Sequence, residues 1–379
     1  MFVKAITLYF VGMPLKFSFV TAQTAIDYRN TIIICAEDDQ GNCGYGEVVS
    51  FDTPFYTKET NKISWNVLKK YLIPAVLGKT FNNEHALHEI ITMFNTAHRD
   101  TPMAVAGLEN ALLHVMAARN QYNTVEYCMK QPLQNTIPMG VVAGDMPLSQ
   151  LLSFVEYHVS HYCTRIKIKI TPYDGYEKVC AVRKRFPDID LAVDANRSYA
   201  PQDIDKIAQF NTLNLMCIEE PFKVHSINDY VELKRNYHWR VTTPLCFDET
   251  ILTLSDLIEG AQHNIIDVMN IKVGRLGGLY QTKQIIQFCR DHNIRYWIGS
   301  MLESSISKLL HVQLAALGDS YMAGDLSDSK RYFYADLTHP AIEFIKGRMK
   351  VPCGVGLGAV VDIEELNKLS QYTEVFHSN

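Results

Sequence analysis

Residues 164–172 read TRIKIKITP, a regular alternation of basic and apolar side chains. A period of two is the signature of a β-strand, so Ile166, Ile168 and Ile170 share one face while Arg165, Lys167 and Lys169 share the other. On a lone strand the basic face would simply be solvated, because lysine is mostly an exposed residue. The flanking sequence argues against that explanation.

Short apolar runs recur on either side of this stretch at a step of about 25 residues, as strands separated by helices would. After NTIPMGVVAG come RIKIKI, IDLAVDAN, LNLMCIEEP, TTPLCFDET, IIDVMNIKVG and IRYWIGSMLES. Amphipathic stretches such as DGYEKVCAVRKRF, INDYVELKRNY and LYQTKQIIQFCRD lie between them. Strand and helix alternating in this way imply βα units and a parallel sheet, and seven or eight units favour a closed barrel over an open, doubly wound sheet. An eighth, weaker strand is expected near YMAGDL. The first 125 or so residues differ, with β-like runs (NTIIICAED, GYGEVVSF) followed by helical ones, and suggest a separate α+β unit. The opening MFVKAITLYFVGMPLKF reads as an edge or hairpin strand and lacks the continuous apolar core of a signal peptide.

A chain of 379 residues exceeds the usual size of one hydrophobic core, in keeping with two units. With 47% hydrophobic and 20% charged residues and a net charge of -5, the composition is that of a soluble globular protein and gives no reason to expect nucleic acid or a membrane as partner. No stretch approaches the roughly 20 apolar residues of a membrane span. The nine cysteines are scattered, several within apolar runs, which fits reduced thiols and a cytoplasmic location. Asn196-Arg197-Ser198 matches a glycosylation sequon, read as chance without an export signal.

Chemistry in a parallel barrel sits at the C-terminal ends of the strands. Here successive runs close in Asp194 and Asn196, in Glu219 and Glu220, and in Asp248 and Glu249, and the next carries Lys272 and Arg275. Asp194, Glu219 and Asp248 would converge on one side of the barrel mouth and repel one another unless a hard divalent cation lay between them. Without histidine or cysteine at ligand spacing, Mg²⁺ is expected rather than Zn²⁺, with Mn²⁺ a workable substitute. Lys169 and Lys272 would face each other across the mouth. Partial burial, Lys167 and the cation would lower a lysine pKa toward neutrality, turning an ammonium into a base. A metal flanked by two such lysines suits removal of a proton α to a carboxylate.

These residues resemble the enolase superfamily, and the lysine pair resembles its muconate-lactonizing subgroup. Within it the chain is similar to the o-succinylbenzoate synthase and N-succinylamino acid racemase family, through RIKIKI, VDAN, IEEP, CFDET, NIKVGRLGGL, GSMLESSIS, GDLSDSKRYF and the tail GVGLG. The resemblance implies an enolase-like α/β fold, a (β/α)₇β TIM-like barrel over residues 126–351 under an α+β capping domain of residues 1–125 completed by 352–379. It implies Asp194, Glu219 and Asp248 as Mg²⁺ ligands, Glu249 behind them, and Lys169 and Lys272 as acid/base residues. Lys167, Asn196, Arg275, Ser300, Met301 and Glu303 would bind or assist the substrate. MPLKFSF resembles a substrate-covering loop. The implied activity is a lyase, o-succinylbenzoate synthase of menaquinone biosynthesis, with racemisation of N-succinylamino acids as the alternative or a second activity. The partner would be a small carboxylate, and the family precedent is a homo-oligomer.

Three features depart from the family pattern. Glu220 stands where glutamine is usual, VTAQT follows MPLKFSF without the expected Ser-Phe-Gly, and Leu113-His114 replaces a Trp-Asp pair, read as a repacked contact between cap and barrel. GDLS lacks the D-x-D of dipeptide epimerases, and GSMLESS argues against muconate cycloisomerisation. A non-catalytic carboxylate-binding barrel would carry the same fold without metal-dependent turnover. GRLGG could also be read as a phosphate site at a helix N-terminus.

Overall fold

The computed structural model describes residues 1–20 and 25–378. Strands β1 (Val3–Val20), β2 (Ala25–Asp38) and β3 (Cys43–Val48) form an antiparallel meander. Helix α1 (Pro102–Arg119) packs on it and is buried on all sides from Met103 to Ala117. A helix of this kind needs close approach. Gly46 supplies it, because a Cβ there would lie 2.0 Å from the Gly107 carbonyl oxygen.

The seven-stranded sheet that follows is parallel throughout and in sequence order: β4 (Gly140–Ala143), β5 (Arg165–Lys169), β6 (Asp190–Asp194), β7 (Ile218–Glu219), β8 (Leu245–Phe247), β9 (Val268–Ile271) and β10 (Arg295–Ile298). A helix follows each strand, among them α2 (Leu279–Asp291) after β9 and α3 (Ser305–Ala315) after β10. The expected eighth strand is a short extended segment rather than a regular strand, and it closes the ring. Tyr321 N donates to Tyr296 O at 2.7 Å, and Gly140 N donates to Gly324 O at 3.2 Å. The architecture is a (β/α)₇β barrel with an antiparallel capping sheet.

The chain ends in β11 (Ser370–His377), which pairs antiparallel with β1. The sheet order is therefore β11-β1-β2-β3, and the N-terminal strand is interior rather than at an edge. Ile32, Ile33 and Ile34 are consecutive and all fully buried, as expected where a sheet is covered on both faces.

Several other expectations change with the packing. His114 works inside the cap: its Nδ1 accepts from Tyr45 N at 2.9 Å, tying α1 to β3, and its ring faces the turn at Gly356. The N-terminus of α2 is filled by Glu109, which accepts from Tyr280 N at 2.9 Å, so GRLGG is a tight turn with Gly277 and Gly278 at φ +85 and +117 and not a phosphate cradle. Residues 13–18 of the expected covering loop lie along β1, where Lys16 N donates to Tyr332 O at 2.9 Å. Residues 21–24, which carry the departure TAQT, lie outside the described residues. No helix among the described residues is long and apolar enough to cross a membrane, and the nine cysteines are unpaired.

Candidate active site

The isoleucines of TRIKIKITP turn outward to the helices, and Arg165, Lys167 and Lys169 climb the inside of the barrel in three successive layers. Arg165 sits lowest, fully buried, donating to Ala323 O and paired with Asp325 Oδ1 at 2.7 Å. Lys167 is enclosed by Asp325 at 2.5 Å, Glu219 at 2.9 Å and Asp194 at 3.2 Å. Lys169, nearest the mouth, reaches Asp194 Oδ2 at 2.7 Å and Asn196 Oδ1 at 2.5 Å.

The carboxylates follow from strand register. Asp194 lies opposite Glu219, and Glu219 opposite Cys246, so Asp248 follows two residues on at the next strand end. Asp248 is held by Lys272 at 2.6 Å and by Arg275 Nε at 3.0 Å. Glu219 also accepts from Asn270 Nδ2 at 2.8 Å. Among the described residues no three of these acids are gathered closely enough to hold a metal ion in this conformation. The reason is visible in the pairs just given: each acid is drawn onto a basic side chain.

The set nonetheless fits a hard cation. Burial and the charges of Asp194 and Asp248 push the Glu219 carboxyl up to about 8, the behaviour of acids pressed together in a low-dielectric site. Burial and the charges of Asp248 and Glu220 likewise raise Glu249 to about 7, and its Oε2 is buried with no hydrogen-bond partner. Asp194 and Asp248 go the other way, because Lys169 and Lys167 at the one and Lys272 and Arg275 at the other outweigh burial. An all-oxygen donor group whose members repel one another suits Mg²⁺.

The expected lowering of the lysine pKa is corrected for Lys272. Burial does lower it, but Asp248, Tyr56, Glu249 and Glu219 outweigh that effect and hold the ammonium well above its ordinary value. Lys167 is raised for the same reason, by Asp325, Glu219 and Asp194. Positive charge was expected to dominate; in this arrangement of side chains the acids do.

One cavity of about 150 Å³ joins the strand ends to the cap. An apolar cavity of about that size accommodates benzene, so a six-membered ring fits. Lys167, Lys169, Asp194, Asn196, Asp248, Glu249, Lys272, Ser300, Met301 and Glu303 all line it. Glu219 lies behind them, and Arg275 is fully buried with its guanidinium on Asp248, Ile251 O and Asn270 O, so it orients Asp248 instead of meeting the cavity. Glu303 is spent internally: Oε1 pairs with His311 at 3.1 Å, and Oε2 takes the Met301 amide. Ser300 donates to Asp325 O at 2.7 Å. Glu220, the acid where glutamine is usual, is buried behind the site and accepts from Asp248 N, Thr250 N and Thr250 Oγ1, fixing the β8 turn.

The sequence reading missed two neighbours of this machinery. Asp325 closes the short eighth segment, so the strand-end pattern that singled out the other acids also marks it. Tyr56 comes from the cap. Its hydroxyl lies 3.2 Å from Asp248 Oδ1 and 3.3 Å from Lys272 Nζ, and the ring stands 5.0 Å from that ammonium. Nothing in the periodicity of FDTPFYT announces it.

The cap also holds the loop after β10 from above. Arg29 donates to Leu302 O at 2.9 Å, and Glu47 takes Ser304 N, Ser304 Oγ and Ser307 N at the start of α3.

Comparison with known proteins agrees with this geometry. Residues 150–366 match the family model described as Enolase C-terminal domain-like. The o-succinylbenzoate synthase of Bacillus subtilis (strain 168) is 33% identical over 374 residues, covering 99% of this chain and 98% of that one. An N-succinylamino acid racemase from Amycolatopsis sp is 33% identical over 359 residues, covering 94% of each. Among solved structures, an enolase superfamily member from Listeria innocua Clip11262 superposes with a TM-score of 0.93 at 29% identity, covering 100% of both chains. The chain belongs to the enolase superfamily, in the family that holds o-succinylbenzoate synthases and N-succinylamino acid racemases.

Proposed function

We propose that this protein is an o-succinylbenzoate synthase, a lyase that dehydrates 2-succinyl-6-hydroxy-2,4-cyclohexadiene-1-carboxylate to 2-succinylbenzoate in menaquinone biosynthesis. The observation that carries the reading is the placement of Lys169 on β5 and Lys272 beyond β9, four strands apart in the ring and lining one cavity, each hydrogen-bonded to a strand-end carboxylate. Residues 126–351 form the catalytic barrel in this reading, and residues 1–125 with 352–379 form its cap.

Asp194, Glu219 and Asp248 would hold Mg²⁺, with Glu249 behind them. When bound, the ion supplies positive charge for the substrate carboxylate as it gains electron density. Held at one face of the substrate, Lys169 takes the α-proton; the electron pair expels the neighbouring hydroxyl, which leaves as water with the proton that Lys169 returns. Lys272 stays protonated and donates to the developing enediolate. Lys167, locked among three carboxylates, sets local charge. Phe51, Phe55 and Tyr56 line the cavity from the cap side.

The same two lysines, on opposite sides of one α-carbon, would racemise an N-succinylamino acid by exchanging the roles of base and acid. A paired assay tests both activities: formation of 2-succinylbenzoate from the cyclohexadiene acid with Mg²⁺, and α-hydrogen exchange of N-succinyl amino acids in D₂O. Dehydration establishes the synthase. Exchange without dehydration replaces it with the racemase, and loss of neither activity on chelation excludes the metal mechanism.

A further inference from the structure

One buried cation in the cavity has no task in this chemistry. Lys308 lies in α3, its residue only 3% exposed, and lines the cavity beside Met301, Leu302 and Tyr332. Lys167, Lys169 and Lys272 each touch a carboxylate. Lys308 does not: its Nζ is buried without a hydrogen-bond partner among the described residues, and it stands 5.9 Å from the centre of the Phe333 ring.

A buried ammonium without a partner is costly, and natural proteins keep such a group where water or a ligand completes it. The Glu303 carboxylate interacts with Lys308 through space, but none of its hydrogen bonds goes to the ammonium. Glu303, the acid closest in sequence, has both oxygens engaged by His311 and the Met301 amide. Lys308 also sits near the N-terminus of its helix, whose dipole disfavours a cation and favours an anion.

We propose that Lys308 is the anchor of a second anion subsite, taking a second carboxylate of the substrate while the strand-end residues act on the first, so that the cavity selects dicarboxylic over monocarboxylic acids. The proposal rests on the reading of the strand ends as a proton-abstracting site for a carboxylate. It assigns the distal specificity to a barrel helix and not to the cap.

Binding tests it without requiring turnover. Mg²⁺-loaded protein is titrated calorimetrically with 2-succinylbenzoate and with 2-butyrylbenzoate, which replaces the distal carboxylate by a methyl group. The wild type is expected to prefer the dicarboxylate by about tenfold to a hundredfold, the scale of one hydrogen bond to a charged group. Lys308→Met and Lys308→Gln should lose that preference while binding 2-butyrylbenzoate as the wild type does, and Lys308→Arg should keep part of it. A wild type without preference, variants that retain it, or variants that weaken both ligands alike would each overturn the subsite. The dehydration assay reports separately: an active enzyme whose Lys308 variants keep the preference refutes only the subsite, and an inactive one that still discriminates through Lys308 refutes only the synthase reading.

Discussion

Lys272 donates to Asp248 Oδ2 across 2.6 Å, joining the end of one barrel strand to the end of its neighbour. The pair links the proposed acid/base residue to a proposed metal ligand, so loss of either side chain should disturb the other. Four outcomes follow from this and from the contacts around it.

Lys169→Ala and Lys272→Ala are each expected to lower kcat by at least about 10²–10⁴-fold, the range of a positioned acid or base, with near-native circular dichroism. If the protein also exchanges α-hydrogens, each variant should lose exchange from one enantiomer first. Exchange measured by NMR in D₂O checks this, and full activity in either variant removes the two-lysine mechanism.

Asp248→Asn should abolish Mg²⁺-dependent turnover and weaken metal binding measured directly by calorimetry. In the wild type, exhaustive chelation should silence the enzyme, and Mg²⁺ or Mn²⁺ should restore it. Turnover that persists in chelator would contradict the assignment of Asp194, Glu219 and Asp248.

Glu47→Ala leaves the Ser304 amide and hydroxyl, the Ser307 amide and the Thr31 hydroxyl without their carboxylate partner. A loss of about 2–4 kcal/mol in stability is expected, since each buried unsatisfied group costs about 1–3 kcal/mol before relaxation. Because these bonds seat the loop that carries Met301 and Leu302, KM should rise as well. Chemical denaturation and steady-state kinetics give the two readouts.

Burial raises the Glu109 carboxyl from 4.5 to about 8 despite its bond from Tyr280 N. Between those values the folded protein holds a proton that the unfolded chain has released, so this residue makes stability fall as pH rises from about 4.5 toward 8. Glu109→Gln keeps an acceptor for Tyr280 and does not titrate, so its melting temperature should fall less over that interval than the wild type's. Parallel melting curves in the two proteins would expose the assignment as wrong.

Much of this molecule was legible in its sequence because the information is local. A parallel barrel repeats one unit, so each apolar run announces a strand, and the residue at which it stops is the residue at the mouth; Asp194, Glu219 and Asp248 are found by that rule. The three-layer climb of Arg165, Lys167 and Lys169 follows from a period of two. Other features exist only in three dimensions. Tyr56 meets Lys272 across 216 positions of chain, and Glu47 meets Ser304 across 257, separations that no periodicity encodes. The interior place of β1 depends on β11 arriving from the far end of the chain. The sign of the Lys272 shift is likewise a tertiary matter, since burial lowers it and the groups that folding gathers around it, Asp248 foremost, raise it. Strand periodicity is a property of neighbouring residues, whereas charge balance and burial depend on every group that folding brings within a few ångströms.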